Sequence, residues 1–285
     1  HKPNFSSIVA GKKVRTDENG FRVPAQGVEV NSKLKSKLIL GDSVSFGFGV
    51  NEKDSFIGII RNELDINLHN TSVIGHNLQS YIYLINKYSN NSNLEIEKII
   101  IFLCLNDIHI QQGVSLKNKL QKNLIPPSEN FIVKFLKKDI FTKINLFLRE
   151  KSALFVFLKS VSTNAVKRHY EYMSWRYNDD NLLSEYSKSI KKISDLSKFK
   201  NLKAEFVLLP YAYQVQNHCE KKYMKPQKKI KKIFDKLDIN LYDFSANFCS
   251  NSTSNNFFIG FDPVHLSKTG HEFVSRLLIE NKIIN

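Results

Sequence analysis

Leu38-Ile39-Leu40-Gly41-Asp42-Ser43-Val44-Ser45-Phe46-Gly47-Phe48-Gly49-Val50 decides how this chain of 285 residues is read. Three aliphatic residues run into a Gly-Asp-Ser turn, two further glycines follow, and from about Asp54 the apolar residues Phe56, Ile57, Ile60 and Leu64 recur at helical spacing. The pattern predicts a strand, a tight turn and a helix. Ligands of open α/β sheets bind beyond the carboxyl ends of the strands, so a serine presented there is a candidate nucleophile. Gly41-Asp42-Ser43-Val44-Ser45 lacks the glycine two residues after the serine that marks the α/β-hydrolase elbow. No Lys-Ser/Thr pair follows the glycines, which sets aside a phosphate loop.

A serine hydroxyl needs a base, and one stands near the other end of the chain. In Phe261-Asp262-Pro263-Val264-His265-Leu266-Ser267, Asp262 and His265 share a short loop ahead of a helix pattern (Phe273, Val274, Leu277, Leu278). That spacing lets the carboxylate accept the imidazole Nδ1–H and leaves Nε2 to take the serine proton. Two further strand ends complete the set. Phe102-Leu103-Cys104-Leu105-Asn106-Asp107 offers the Asn106 amide, a donor that stays protonated at any working pH and suits an oxyanion hole. Val73-Ile74-Gly75-His76-Asn77 offers a glycine whose backbone N–H can approach a reacting carbonyl. Each block alone also reads as an ordinary turn or helix cap. Their joint occurrence at strand ends points to one site.

In this order, over residues 38 to 279, the four blocks resemble the SGNH (GDSL-type) hydrolase superfamily. The resemblance implies a three-layer α/β/α, flavodoxin-like fold with a parallel central sheet. It implies Ser43 as nucleophile, His265 as base and Asp262 as its orienting partner, with the Ser43 and Gly75 N–H groups and the Asn106 side chain as oxyanion donors. It implies no cofactor and no metal. Two positions depart from the pattern: Cys104 stands where the third block usually has glycine, and Val44 where the first usually has leucine. Thr16-Asp17-Glu18-Asn19-Gly20-Phe21-Arg22 is similar to the lead-in of bacterial SGNH proteins that modify envelope polysaccharides, and equally fits a plain hairpin turn.

Taken in order, residues 1–36 are expected to form an arm packed on a single domain, 37–285. From Ser36 strands and helices alternate: strand 37–40, helix 54–64, strand 70–74, helix 78–88, strand 98–103, which predicts a parallel sheet. The alternation stops at about 113–180, read as a mostly helical insertion beside the site. This window holds Pro126-Pro127, the aromatic-basic segments Phe131–Phe135, Phe141–Arg149 and Phe155–Lys159, and the cluster Tyr170, Tyr172, Trp175, Arg176, Tyr177. It carries 13 Lys or Arg against 6 Asp or Glu, so a share of its aromatic and basic side chains is a candidate glycan platform. Asp107, Trp175 and Arg176 are the substrate-binding candidates, while the phenylalanines fit a small core better. Helix 182–199, strand 204–209, helix 227–237, strand 240–244 and a final helix 267–281 complete the domain.

The chain has 42 Lys and Arg against 27 Asp and Glu, a net charge of +15. Such an excess favours an anionic partner, and with no nucleic-acid module present a charged glycan or envelope surface ranks above DNA or RNA. No apolar run is long enough to span a membrane. The chain opens on His1, and an upstream leader or anchor is one expectation. Cys104 reads as a buried thiol. Cys219 and Cys249 fit either a disulfide, with an extracytoplasmic location, or two free thiols in a cytoplasmic protein. No spacing suggests a metal site. The expected function is a serine esterase removing O-acyl, chiefly O-acetyl, groups from a bacterial glycan. An O-acyltransferase acting on an envelope polysaccharide, a lipid esterase and a non-catalytic binder of acidic glycans remain open beside it.

Overall fold

The computed structural model describes residues 2–24, 34–64, 66–90, 94–108, 147, 151–152, 164–251 and 256–284. Most of the expected insertion, including Pro126-Pro127, Phe131–Phe135 and Phe155–Lys159, lies outside the described residues.

The sheet is built on runs buried from end to end. Ser36–Leu40 (β4) is buried along its whole length, and Ile96–Leu103 (β6) and Lys203–Leu208 (β7) are buried over their carboxyl halves. Nearly unbroken aliphatic runs of this kind belong to parallel strands covered on both faces. Asn67–Asn70 (β5) and Tyr242–Asp243 (β8) join them in parallel. The parallel order β5-β4-β6-β7-β8 is the 2-1-3-4-5 order of doubly wound folds, whose chain direction switches between β4 and β6. A crevice at the carboxyl ends of these two strands follows from that order.

Two helical layers cover the sheet. Phe56–Glu63 (α2) packs on Lys268–Glu280 (α9), and Leu78–Ser89 (α3) on Asp180–Phe199 (α5), which also meets Lys225–Leu237 (α7). Further helices among the described residues are Ser43–Phe46 (α1), Ala165–Arg176 (α4), Ala212–Gln216 (α6) and Ser245–Ser250 (α8). Side-chain caps set where helices begin: Ser55 accepts from the Gly58 N–H, Asn77 from Gln79 and Ser80, Asp179 from Asn181 and Leu182, and Ser267 from Gly270. The second helix therefore starts at Phe56 rather than Asp54, because the chain first makes a 3-10 turn over Glu52–Asp54. The fully buried His271 of α9 accepts the Phe56 N–H through Nδ1 (3.2 Å) and so locks α9 to the start of α2.

One expectation needs correction. The second parallel strand spans Asn67–Asn70, not 70–74, its register with β4 running only to Asn70 opposite Ile39; beyond it Thr71 still bonds the Ile39 carbonyl through both its N–H and its hydroxyl, and Val73 N–H bonds the Gly41 carbonyl. The parallel central sheet is as expected, and it carries an antiparallel extension at one edge. Ser6–Val9 (β1), Lys12–Thr16 (β2) and Arg22–Val23 (β3), in the stretch read as an arm, form an antiparallel extension on β5 and make one eight-stranded sheet. Asp17 organises this extension, its Oδ1 accepting from the Asn19 and Phe21 N–H groups (2.9 and 2.8 Å). The turn delivers Phe21 into the core against His69 and Tyr88.

Burial, assisted by the nearby Arg61 charge, holds His69 down to about 4, against 6.5 for an exposed histidine. Folded His69 is thus neutral over a range where the unfolded chain binds a proton, so this residue's contribution to stability rises with pH from about 4 to 6.5 and is flat above. Urea unfolding of the protein and of His69→Asn is expected to show the stability difference shifting toward the unsubstituted chain over that range; a constant difference contradicts it.

Candidate active site

Ser43 is the first residue of α1, a helix of four residues directly after β4. Asp42 caps it, accepting from the Val44 N–H (2.9 Å), and Gly47 ends it at φ +81°. Gly41 makes room for its neighbours, since a Cβ there would stand 1.9 Å from Ser45 Oγ and 3.3 Å from Phe102 Cβ and would force Ser45 to move.

His265 comes from the loop before α9. Its Nε2 lies 2.9 Å from Ser43 Oγ and its Nδ1 lies 2.8 Å from Asp262 Oδ2. The other Asp262 oxygen accepts the Val264 and His265 N–H groups, each at 2.8 Å, so the carboxylate is aimed by its own loop. That loop is pinned at its base by the Phe258–Leu266 bridge, and Pro263 O accepts the Ala212 N–H. Burial alone would raise the Asp262 pKa, but hydrogen bonds from the His265 ring and the two N–H groups hold it below the usual carboxylate range. An ionised Asp262 fixes the Nδ1–H tautomer, which leaves Nε2 free to accept the Ser43 proton. The Phe48 ring packs 4.4 Å from the imidazole, centre to centre.

Asn106 stands at the end of β6, across the switch point from Ser43. Its Nδ2 donates to Asp42 Oδ2 (2.7 Å), and its Oδ1 accepts the Tyr211 hydroxyl (3.0 Å). The amide is held from both ends and cannot flip, while one of its two N–H groups lies outside the Asp42 bond. Gly75 is exposed at φ +82°, in a loop tied to the end of β4 by the Val73 to Gly41 bond. Ser43, as first residue of its helix, has no intrahelical acceptor for its own N–H. Cys104 takes an ordinary extended conformation (φ −128°), so the missing glycine leaves the path to Asn106 undisturbed.

Two of the three substrate-binding candidates, Asp107 and Arg176, are placed differently from expectation. Asp107 is 3 % exposed and faces inward, accepting the Cys104 N–H (2.7 Å) and the Tyr81 hydroxyl (2.9 Å). Burial, then the neighbouring Asp42, pushes its carboxyl well up. It braces the turn that carries Asn106 and offers nothing to a substrate. Arg176 is also buried, donating to Tyr172 Oη (2.8 Å) and Ile108 O (3.4 Å) with its guanidinium over the Tyr172 ring. It fastens α4 to the segment after Asn106. Trp175 is half-buried on the same helix.

Sequence reasoning missed Tyr211 and His169. Tyr211 follows Pro210 in a loop without a motif, and its role appears only once β6 and β7 lie side by side. His169 of α4 stacks on the Tyr211 ring (5.5 Å, interplanar angle 28°). Burial holds His169 below the ordinary histidine value against the pull of Asp262, while His265 and Arg176 add to the lowering, so it lies within electrostatic reach of the triad. Nothing in the run Lys167-Arg168-His169-Tyr170 sets it apart. Elsewhere Cys219 and Cys249 are joined in a disulfide with Cα atoms 5.9 Å apart, and Cys104 is a buried free thiol. Among the described residues no group of three or more His, Cys, Asp or Glu is placed to hold a metal ion, and no helix is long and apolar enough to cross a membrane.

A serine hydroxyl, an imidazole oriented by a carboxylate, and an amide donor at the facing strand end form a constellation able to attack an acyl carbon. The class this defines is a Ser-His-Asp triad on a doubly wound α/β sheet. The chain is similar to solved structures of lipolytic proteins. One is a lipolytic protein of the G-D-S-L family from Veillonella parvula, with 14 % identity, 86 % of this chain and 97 % of that one covered, and a TM-score of 0.47. Another is the psychrotrophic esterase EstA from Pseudoalteromonas sp., with 13 % identity, coverage of 88 % and 100 %, and a TM-score of 0.48. A third is the lipase/acylhydrolase from Enterococcus faecalis, with 11 % identity, coverage of 86 % and 94 %, and a TM-score of 0.44. No protein-family model matches the chain. No curated protein matches it significantly. At such identities and scores the chemistry of the site has to be read from its own geometry.

Removing the Tyr211 hydroxyl frees one end of the Asn106 amide. With a neutral hydrogen bond contributing about 1 kcal/mol, Tyr211→Phe is expected to lower kcat for an ester substrate roughly fivefold with KM little changed. Asn106→Ala should cost roughly a hundredfold or more. Steady-state kinetics of both variants check this, and a Tyr211→Phe enzyme with unaltered kcat contradicts the role given to the hydroxyl.

Proposed function

We propose that the chain is a serine-dependent carboxylic ester hydrolase working through an acyl-enzyme. The observation that carries this is the unbroken hydrogen-bonded chain from Ser43 Oγ to His265 Nε2 and from His265 Nδ1 to Asp262 Oδ2. Ser43 Oγ attacks the ester carbonyl carbon as its proton passes to Nε2. The tetrahedral oxyanion is met by the Asn106 amide and by the Ser43 and Gly75 N–H groups. Collapse of the intermediate expels the alcohol, which takes the proton from the imidazolium. Water, deprotonated by His265, then attacks the acyl-enzyme, and the carboxylic acid leaves with Ser43 restored.

The substrate class we infer is an O-acylated, above all O-acetylated, bacterial glycan of acidic character. Supporting this is the net charge of +15, which attracts anionic polymers and raises their local concentration. Two exposed apolar side chains beside site residues, Ile74 next to Gly75 (45 % exposed) and Phe261 next to Asp262 (95 % exposed), suit sugar faces and short acyl groups. The Cys219–Cys249 disulfide supports an extracytoplasmic location, where such bonds persist.

Release of p-nitrophenol from p-nitrophenyl acetate tests the reaction, and release of acetate from an O-acetylated acidic polysaccharide tests the substrate. Ser43→Ala is expected to lower turnover of both roughly a thousandfold or more. Acetylation of an added sugar acceptor in place of acetate release would make the protein an O-acyltransferase. Turnover unaffected by Ser43→Ala removes the assignment.

A further inference from the structure

Arg22 is fully buried at 0 % exposure, yet its guanidinium is aimed at no carboxylate. Its Nη1 donates to the carbonyls of Phe46 and, at 2.7 Å, Gly47; its Nη2 donates to the carbonyl of Val50 at 2.7 Å. The guanidinium also lies 4.5 Å from the centre of the Phe46 ring. All of these acceptors belong to the end of α1, the helix that begins with Ser43, and to the turn after it. Both Nη groups are used in this way while Nε has no hydrogen-bond partner among the described residues, and a charge buried at this cost depends on the bonds its Nη groups make.

The acceptors explain the need. A helix leaves its last four carbonyls without intrahelical partners, and α1 has only four residues. Its Ser43 carbonyl is taken by Gly47 and Phe48 N–H groups, and that of Val44 by Gly47. The Ser45 carbonyl accepts Asn70 Nδ2 (3.1 Å), and the Phe46 carbonyl accepts Arg22. Arg22 and Asn70 are direct cross-strand partners where β3 meets β5. Two side chains facing one another in the sheet thus close the carbonyl end of the serine's helix. Gly47 fits the same arrangement, because a Cβ there would lie 2.6 Å from Arg22 Nη1. Burial lowers the Arg22 pKa to about 10, opposed by Glu52, so the guanidinium stays charged at neutral pH.

We propose that Arg22 is a positioning residue for the nucleophile: by holding the carbonyl end of α1 it keeps Ser43 Oγ within reach of His265, making the antiparallel N-terminal extension part of the catalytic apparatus. Arg22 touches no substrate and acts only through α1. The inference rests on Ser43 being the nucleophile, as proposed above. It predicts a loss in kcat and not in KM, and it predicts that the planar, multiply donating guanidinium matters beyond its charge.

The test compares the unsubstituted enzyme with Arg22→Lys and Arg22→Ala in p-nitrophenyl acetate hydrolysis, with and without guanidinium chloride below its denaturing range and with ethylammonium as a control cation. Circular dichroism gives the folded fraction of each. Per folded molecule, both variants are expected to lose roughly ten- to a hundredfold in kcat with KM nearly constant, since small misplacements of a reacting group have effects of that size. Guanidinium, but not ethylammonium, should restore part of the Arg22→Ala rate and leave the unsubstituted enzyme unchanged. If Arg22→Ala does not fold, the same losses in folded Arg22→Lys carry the test. An active unsubstituted enzyme whose folded Arg22 variants keep full kcat, or lose activity only in step with folded fraction, overturns the inference. An unsubstituted enzyme with no esterase activity overturns the underlying reading, and the inference with it.

Discussion

A single turn of helix has no stability of its own, because nucleation costs more than its few hydrogen bonds return. The serine of this protein stands on such a turn, and everything that makes it useful is supplied from outside it. Asp42 caps the amino end, while Asn70 and Arg22, drawn from β5 and β3, take the carbonyls at the other end. Gly41 and Gly47 permit approaches that a side chain would block. The serine's position is set by its surroundings. That accords with the general demand that catalytic groups sit on supports which do not reorganise during the reaction.

The same dependence runs through the rest of the site. His265 reaches Ser43 because α9, which follows its loop, is fastened to α2 by the buried His271, and α2 follows the serine's own turn. Asn106 faces the serine because β4 and β6 are neighbours, and Asp42 and Tyr211 fix its amide. Asp42 therefore serves both sides of the crevice, capping the helix of Ser43 with one oxygen and holding the Asn106 amide with the other. Beneath it, Asp107 repeats the device with Tyr81. These carboxyls are buried where burial raises their pKa, a sign of groups kept for geometry and not for solvation.

The parallel strands and the main helices were legible because their signals are local: aliphatic runs for β4, β6 and β7, helical spacing in α3, α5, α7 and α9. The triad was legible because Asp262 and His265 are close in sequence and Ser43 sits in a distinctive turn. What escaped depends on contacts between distant segments. The short strands β1 to β3 have no long apolar run and gain their place only by pairing with β5. Tyr211 and His169 each act on a residue that is remote in sequence, through a side chain common enough to pass unremarked, and Arg22 stood in a noted turn whose distant partners the sequence does not show. Asp107 and Arg176 were misread for one reason, that a charged residue near a site suggests solvent and substrate, whereas both are buried and turned to internal partners.

The central claim is that Ser43 is a nucleophile activated by His265. The most direct measurement is peptide mass spectrometry after reaction with a fluorophosphonate, which is attacked by activated serine hydroxyls and leaves a stable phosphonyl adduct. A single adduct on Ser43, absent when His265 is replaced by Gln, is the result predicted. Labelling at another serine, or labelling of Ser43 undiminished without His265, would contradict it.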